Sequence, residues 1–111
     1  MITILGSTGT IGINALSIIS KTQKKNSVFA LTANRNDKLL FSQIKKYLPL
    51  YAVLGDENEA TKLSKLCSKH NLRTKILNGS EGLIFVSNHS RVKTVLSAIV
   101  GAAALKPTFA A

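Results

Sequence analysis

Gly6, Gly9 and Gly12, spaced every third residue, follow directly on the apolar, β-branched run Ile2-Thr3-Ile4-Leu5. A short buried strand that runs through such a turn into a helix leaves backbone N–H groups open to close approach. The helix start adds a partial positive charge, so the chemistry on offer is anion binding, and a pyrophosphate is the anion such turns cradle. A GxxGxxG spacing alone arises by chance; its place between a strand and a helix gives it weight. The plain alternative is a tight turn that binds nothing.

A second polar group stands where the next strand ends, in Ala33-Asn34-Arg35-Asn36. In a dinucleotide-binding unit an acid at this position holds the ribose 2′-OH, whereas a base accommodates a 2′-phosphate. No carboxylate occurs there before Asp37. Arg35 presents a planar, permanently charged fork, and Asn34 and Asn36 can add hydrogen bonds. Together the glycine turn and Arg35 point to NADP(H) rather than NAD(H). Without the turn, Arg35 would read as an ordinary exposed loop cation.

Residues able to carry bond-making chemistry are scarce. The acids are Asp37, Asp56, Glu57, Glu59 and Glu81. Asp56, Glu57 and Glu59 crowd a helix start, where capping and the helix dipole account for them. His70 reads as a dipole partner near a helix end and His89 as a loop residue, neither with a partner at catalytic spacing. Ser7 lies outside a GxSxG elbow and has no nominated base. The single cysteine, Cys67, shares an apolar helix face with Leu63 and Leu66, which suits a small core residue in a reducing compartment. No residue stands out as catalytic or metal-ligating.

The elements that must position the turn and Arg35 alternate along the chain. A helix over residues 11–20 has Ile11, Ala15, Leu16, Ile18 and Ile19 as its inner face. After a polar loop at 21–26 comes a strand over 27–33. Asp37 can cap a helix that runs to Leu48, with Leu39, Leu40, Ile44 and Tyr47 inward and Pro49 as its stop. A strand over 51–54 leads to a helix over 58–70 with Ala60, Leu63, Leu66 and Cys67 inward. A strand over 74–77, a turn at Asn78-Gly79, a brief helix over 81–86, a polar loop at 87–91 and a strand over 92–100 follow. Pro107 fits the first turn of a helix starting near Leu105.

Such alternation predicts an α/β fold, a Rossmann-like doubly wound parallel sheet with right-handed crossovers. The last helix stops without a linker, so the expectation is a single domain over residues 1–111, a fragment whose sheet is incomplete at its C-terminus. At 111 residues and 45% apolar, the chain has the composition of one globular domain. Its net charge of +10 comes from lysines scattered over helix faces, with no tryptophan and no interleaved aromatics for base stacking. That favours a basic surface over a nucleic-acid partner. The apolar run at 95–105 is too short to span a bilayer and no basic leader is visible, so the expectation is a cytoplasmic protein with no membrane partner.

Three stretches resemble the N-terminal region of the 1-deoxy-D-xylulose 5-phosphate reductoisomerase family. Ile4-Leu5-Gly6-Ser7-Thr8-Gly9-Thr10-Ile11-Gly12 is similar to its ILGSTGSIG opening, and Ala33-Asn34-Arg35-Asn36 stands at its AGKN-like or AGRN-like loop. Ala98-Ile99-Val100-Gly101-Ala102-Ala103-Ala104-Leu105-Lys106-Pro107-Thr108 resembles its AIVGAAGLxPT segment, the most specific of the three because no generic dinucleotide fold demands it. Pro-Leu-Tyr-Ala-Val at 49–53 resembles the family's third strand.

The resemblance implies an NADPH-binding site. Gly6, Thr8, Gly9, Thr10, Ile11 and Gly12 would form the pyrophosphate turn, Asn34, Arg35 and Asn36 would hold the 2′-phosphate, and Ala98, Ile99, Val100 and Gly101 would lie near the nicotinamide-side ribose. Thr10 stands for a usual Ser and keeps the hydroxyl. Asn34 and Ala104 stand for Gly; Asn tolerates a positive φ, whereas Ala does so poorly. The family rearranges and reduces 1-deoxy-D-xylulose 5-phosphate to 2-C-methyl-D-erythritol 4-phosphate in the non-mevalonate route to isoprenoids. It does so as a homodimer with a divalent metal, Mg or Mn, that polarises the small phosphorylated sugar substrate. The metal ligands and the substrate pocket belong to later domains that this chain lacks, so the fragment alone is expected to be inactive. Two rivals stay open: the cofactor domain of another NADP-dependent oxidoreductase, and a basic nucleic-acid-binding module.

Overall fold

The computed structural model describes residues 1–22, 27–35 and 38–97. They alternate as β1 (Ile2–Leu5), α1 (Thr10–Thr22), β2 (Val28–Ala33), α2 (Lys38–Tyr47), β3 (Tyr51–Leu54), α3 (Glu57–Lys69), β4 (Lys75–Asn78), α4 (Gly79–Asn88) and β5 (Thr94–Ser97). All pairings are parallel, and the strand order is β4-β3-β2-β1-β5. The chain steps outward from β1 to β4 and then returns to the far side of β1. This is the α/β, doubly wound arrangement expected from the sequence.

Right-handed crossovers fix which face each helix covers. Steps in one direction put α1, α2 and α3 on one face, and the reversed step from β4 to β5 puts α4 on the other. The core divides accordingly. Leu16, Ile19, Leu40, Ile44, Leu63 and Cys67 pack with Ile4, Leu31, Ala52 and Leu54 in one layer. Val86 packs with Phe29, Ala30 and Val53 in the other.

Strand side chains alternate between these layers except at Phe29. There the register slips, Ile2 pairing with Val28 but Thr3 with Ala30. The extra residue turns both Phe29 and Ala30 toward α4. Phe29, Tyr51, Phe85 and His89 then close a ring of aromatic contacts with centroids 4.7 to 5.5 Å apart. The buried Thr3 hydroxyl donates to the Val86 carbonyl at 2.8 Å and ties β1 to the end of α4.

Several expectations shift. Ile11 and Ile18, read as inward, are 59% and 62% exposed. The buried stripe of α1 is Gly12, Leu16 and Ile19 instead, and a residue one position before Gly12 points about 100° away from it. Leu39 of α2 is exposed while Gln43 is buried; Leu66 and Tyr47 are only half-buried. Helix α3 starts at Glu57, capped by the Asp56 carboxylate, which accepts the Glu59 N–H at 3.3 Å. The expected turn at Asn78-Gly79 is absent, β4 ending at Asn78 and α4 starting at Gly79, and α4 absorbs residues 87–88, with Ser87 on its buried face. Helix α2 gives way at Leu48, left-handed at φ 48, just before Pro49. The Asp37 cap, the extension of the last strand over 98–100 and the helix at Pro107 lie outside the described residues.

Gly12 decides how α1 sits. A Cβ there would fall 2.6 Å from Ser7 Cα and 2.8 Å from its carbonyl carbon, and would overlap the Gly6 carbonyl oxygen. Helix and turn therefore pack backbone against backbone. In an open helix Gly→Ala is stabilising by about 0.5–1 kcal/mol. Here Gly12→Ala is expected to cost about 1–3 kcal/mol through overpacking, read as a lowered melting temperature by circular dichroism. Cys67 is buried, and desolvation pushes its thiol pKa up, which suppresses the reactive thiolate. A colorimetric disulfide reagent is expected to label Cys67 only after unfolding in urea; rapid labelling of the native protein would contradict its core role.

Candidate functional site

The strands of a parallel sheet all end on one edge, and the loops leaving β1, β2 and β3 meet there around a cleft of about 400 Å³. The glycine turn supplies Gly6, Thr8 and Gly9, the loop after β2 supplies Asn34 and Arg35, and the far wall is Leu54, Gly55 and Leu83. The fold thus brings together Gly6, Thr8, Gly9, Asn34 and Arg35 from two separate loops. Thr10 and Ile11 head α1 and are exposed beside the cleft rather than in its lining, and Gly12 is packed beneath the turn. Asn36, Ala98, Ile99, Val100 and Gly101 lie outside the described residues. Gly55 and Leu83 were not anticipated; for Gly55 the available signal was that the end of any strand on this edge faces the same cleft, whereas Leu83 comes from within α4 and had none.

Hydrogen bonds to β2 shape the turn. Gly6, at φ 77, donates its N–H to the Thr32 carbonyl at 3.0 Å and to the Thr32 hydroxyl at 2.9 Å. That positive φ is open to glycine and strained for other residues. The Ser7 N–H reaches the same carbonyl at 2.9 Å. Gly9 folds back with its N–H on the Gly6 carbonyl at 3.2 Å, and its own carbonyl accepts the Ile13 N–H at 2.9 Å. A Cβ on Gly9 would meet only the Gly6 oxygen at 3.7 Å, an ordinary contact. Nothing among the described residues demands glycine there, and Gly9 lines the cleft.

Ser7 is fully buried beneath the turn. Its hydroxyl donates to Gln43 Oε1 at 2.7 Å, and Gln43 Nε2 donates back to the Ser7 carbonyl at 2.8 Å. Ser7 therefore spends its polar groups within the protein and is not a free nucleophile. Gln43 escaped the sequence reading, although its place three residues after Leu40 puts it on the inward stripe of α2.

The electrostatics of the cleft are one-sided. Among the described residues no carboxylate lines it, and neither α1 nor α2 has an acid in its first turn, whereas α3 has Glu57 and Glu59 and α4 has Glu81. The first N–H groups of α1 lack intrahelical partners and carry the positive end of the helix dipole. With Arg35 across the cleft, the arrangement suits a ligand with two anionic groups and a flat apolar part against Leu54 and Leu83.

Among the described residues, no three His, Cys, Asp or Glu side chains converge on a metal position. His70 caps α3 with its ring edge-on to Phe41 at 5.1 Å, and His89 caps α4 with Nδ1 accepting the Arg91 N–H at 3.1 Å. The cleft is built for holding a ligand, and the described residues put no acid–base pair in it.

Residues 2–111 match the profile of the 1-deoxy-D-xylulose 5-phosphate reductoisomerase family. The chain is 43% identical over 110 residues to the reductoisomerase of Tolumonas auensis, covering 99% of this chain and 28% of that protein. It is 39% identical over 110 residues to that of Clostridium botulinum strain Hall, covering 99% and 29%. A crystal structure of DOX-P reductoisomerase in complex with NADPH, fosmidomycin and magnesium superposes with a TM-score of 0.88 at 38% identity, over 98% of this chain and 26% of that one. The Zymomonas mobilis enzyme in complex with NADPH gives 0.85 at 31%, over 98% and 28%. The chain thus spans under a third of the length of the relatives it matches. Over that span, fold and sequence agree: the chain belongs to the 1-deoxy-D-xylulose 5-phosphate reductoisomerase family.

Proposed function

We propose that this chain is the NADPH-binding portion, residues 1–111, of an enzyme that rearranges and reduces 1-deoxy-D-xylulose 5-phosphate to 2-C-methyl-D-erythritol 4-phosphate. The observation that carries this reading is the meeting of the glycine turn and Arg35 on one cleft that no carboxylate among the described residues lines. The pyrophosphate rests on the turn and the N-terminus of α1, with Gly9 at the closest approach. Arg35 and Asn34 hold the 2′-phosphate by charge-assisted bonds, and Leu54 and Leu83 flank the adenine. NADPH supplies a hydride when bound. The chain's own part is to hold the cofactor in one orientation, so that its reactive end meets a substrate presented from elsewhere.

Crystallised relatives carry NADPH and magnesium. The reading assigns the metal and sugar-phosphate sites to the parts of those relatives that this chain does not span. Homodimer assembly and a cytoplasmic setting accompany the family reading; no helix among the described residues is long and apolar enough to cross a membrane.

Fluorescence titration with NADPH and NADH tests the cofactor. Tighter binding of NADPH is expected, and equal affinity for the two would remove the Arg35 assignment. Arg35→Asp deletes a charge-assisted bond of about 1.5–3 kcal/mol, so NADPH binding is expected to weaken roughly 10- to 100-fold with little change for NADH. Gly9→Ala is expected to weaken both nucleotides alike while leaving the melting temperature unchanged, because its methyl group intrudes on the ligand and not on the protein.

A further inference from the structure

We propose that Gln43 is a positioning residue that sets the separation between the glycine turn and the Arg35 loop, and through it the preference for a 2′-phosphorylated dinucleotide. The proposal rests on the NADP(H) reading of the cleft. Asn34 and Arg35 follow β2, which ends at Ala33, and α2 begins at Lys38. Both elements are fastened to the same dipeptide, Gly6-Ser7. On the strand side Thr32 accepts from both residues through its carbonyl and from Gly6 through its hydroxyl. On the helix side Gln43 grips Ser7 from the second turn of α2 through two bonds of 2.7 and 2.8 Å.

One attachment alone would act as a hinge about which the Arg35 loop could swing. Two attachments, one before the loop and one after it, fix its distance from the turn. The carboxamide suits this role because it offers one acceptor and one donor, matching the O–H and C=O of Ser7. Packing does not explain a glutamine here. Leu40 and Ile44 on the same stripe are fully buried, and Gln43 is itself 5% exposed, so an apolar side chain would fill the space without the cost of burying an amide. Neither Gln43 nor Ser7 lines the cleft, so their influence on the ligand must pass through the loops they join.

The test uses Gln43→Met, which keeps length and volume but loses both bonds, and the double variant Ser7→Ala/Gln43→Met. NADPH and NADH are titrated against each, melting temperatures are recorded, and amide hydrogen exchange is followed on the unliganded proteins. Gln43→Met is expected to reduce the ratio of NADH to NADPH dissociation constants by about fivefold or more, the lower end of typical coupling between sites. Removing the stranded Ser7 hydroxyl in the double variant is expected to restore part of the lost stability but none of the discrimination. Exchange at Thr8, Asn34 and Arg35 should rise together while Ile4 and Leu31 keep their protection.

A folded Gln43→Met protein with an unchanged ratio and unchanged exchange at Asn34 and Arg35 would overturn the proposal. Recovery of discrimination together with stability in the double variant would also overturn it, leaving Gln43 a purely structural residue. If the unaltered protein does not prefer NADPH, the cofactor reading falls, and the exchange data alone decide whether Gln43 couples the two loops. Should Gln43→Met not fold, Gln43→Glu, which retains an acceptor for the Ser7 hydroxyl, carries the same measurements.

Discussion

At Gly12 the backbone of α1 lies directly on the backbone of Gly6 and Ser7, with no room for a side chain between them. Much of the molecule follows from that contact. It sets the rotation of α1, placing Leu16 and Ile19 on the sheet and leaving Ile11 and Ile18 outside. It keeps the first turn of the helix next to the end of β1, where unpaired N–H groups are useful to an anion. The three glycines consequently do different things. Gly6 bends the chain, Gly12 admits the helix, and Gly9 leaves backbone open to the cleft. A motif written as three equal letters is three different constraints.

The charges are distributed with the same economy. Of the acids in the described residues, Asp56, Glu57 and Glu59 sit at the start of α3 and Glu81 in the first turn of α4. They face the partial positive charge of their own helix starts. Helices α1 and α2, whose N-termini border the turn and the Arg35 loop, carry none in their first turns. The basic balance of the chain thus counts locally through the lack of carboxylates among the described residues that line one cleft, and the scattered lysines contribute mainly a diffuse background screened within about 8–10 Å at ordinary ionic strength.

Strand positions, the glycine turn and Arg35 were legible because each depends on residues adjacent in sequence. Short β-branched runs, a turn residue and the cation at a strand end announce themselves locally. Hidden features depended on contacts between distant segments. Gln43 gives no sign of its partner until Ser7, 36 positions away, is found beneath it. Ile11 and Ile18 have the right character for a core and lost their places to a glycine, a preference that no hydrophobic pattern records. The bulge that sends Phe29 and Ala30 to the same side is set by the pairing with β1, not by either residue. Leu83 reaches the cleft because the reversal after β4 brings α4 back over the opposite face, a matter of topology alone.

That reversal has a further consequence for how the chain is made. β1 precedes the other described strands but lies between β2 and β5 in the sheet, and its Thr3 hydroxyl waits for a carbonyl 83 residues later. On a ribosome adding residues one at a time, β1, β2, β3 and β4 can assemble in order. Through all of that time the free edge of Ile2–Leu5 stays open to any other extended segment. Among the described strands β1 is therefore made before its second neighbour, and that edge is covered only when Thr94–Ser97 arrive.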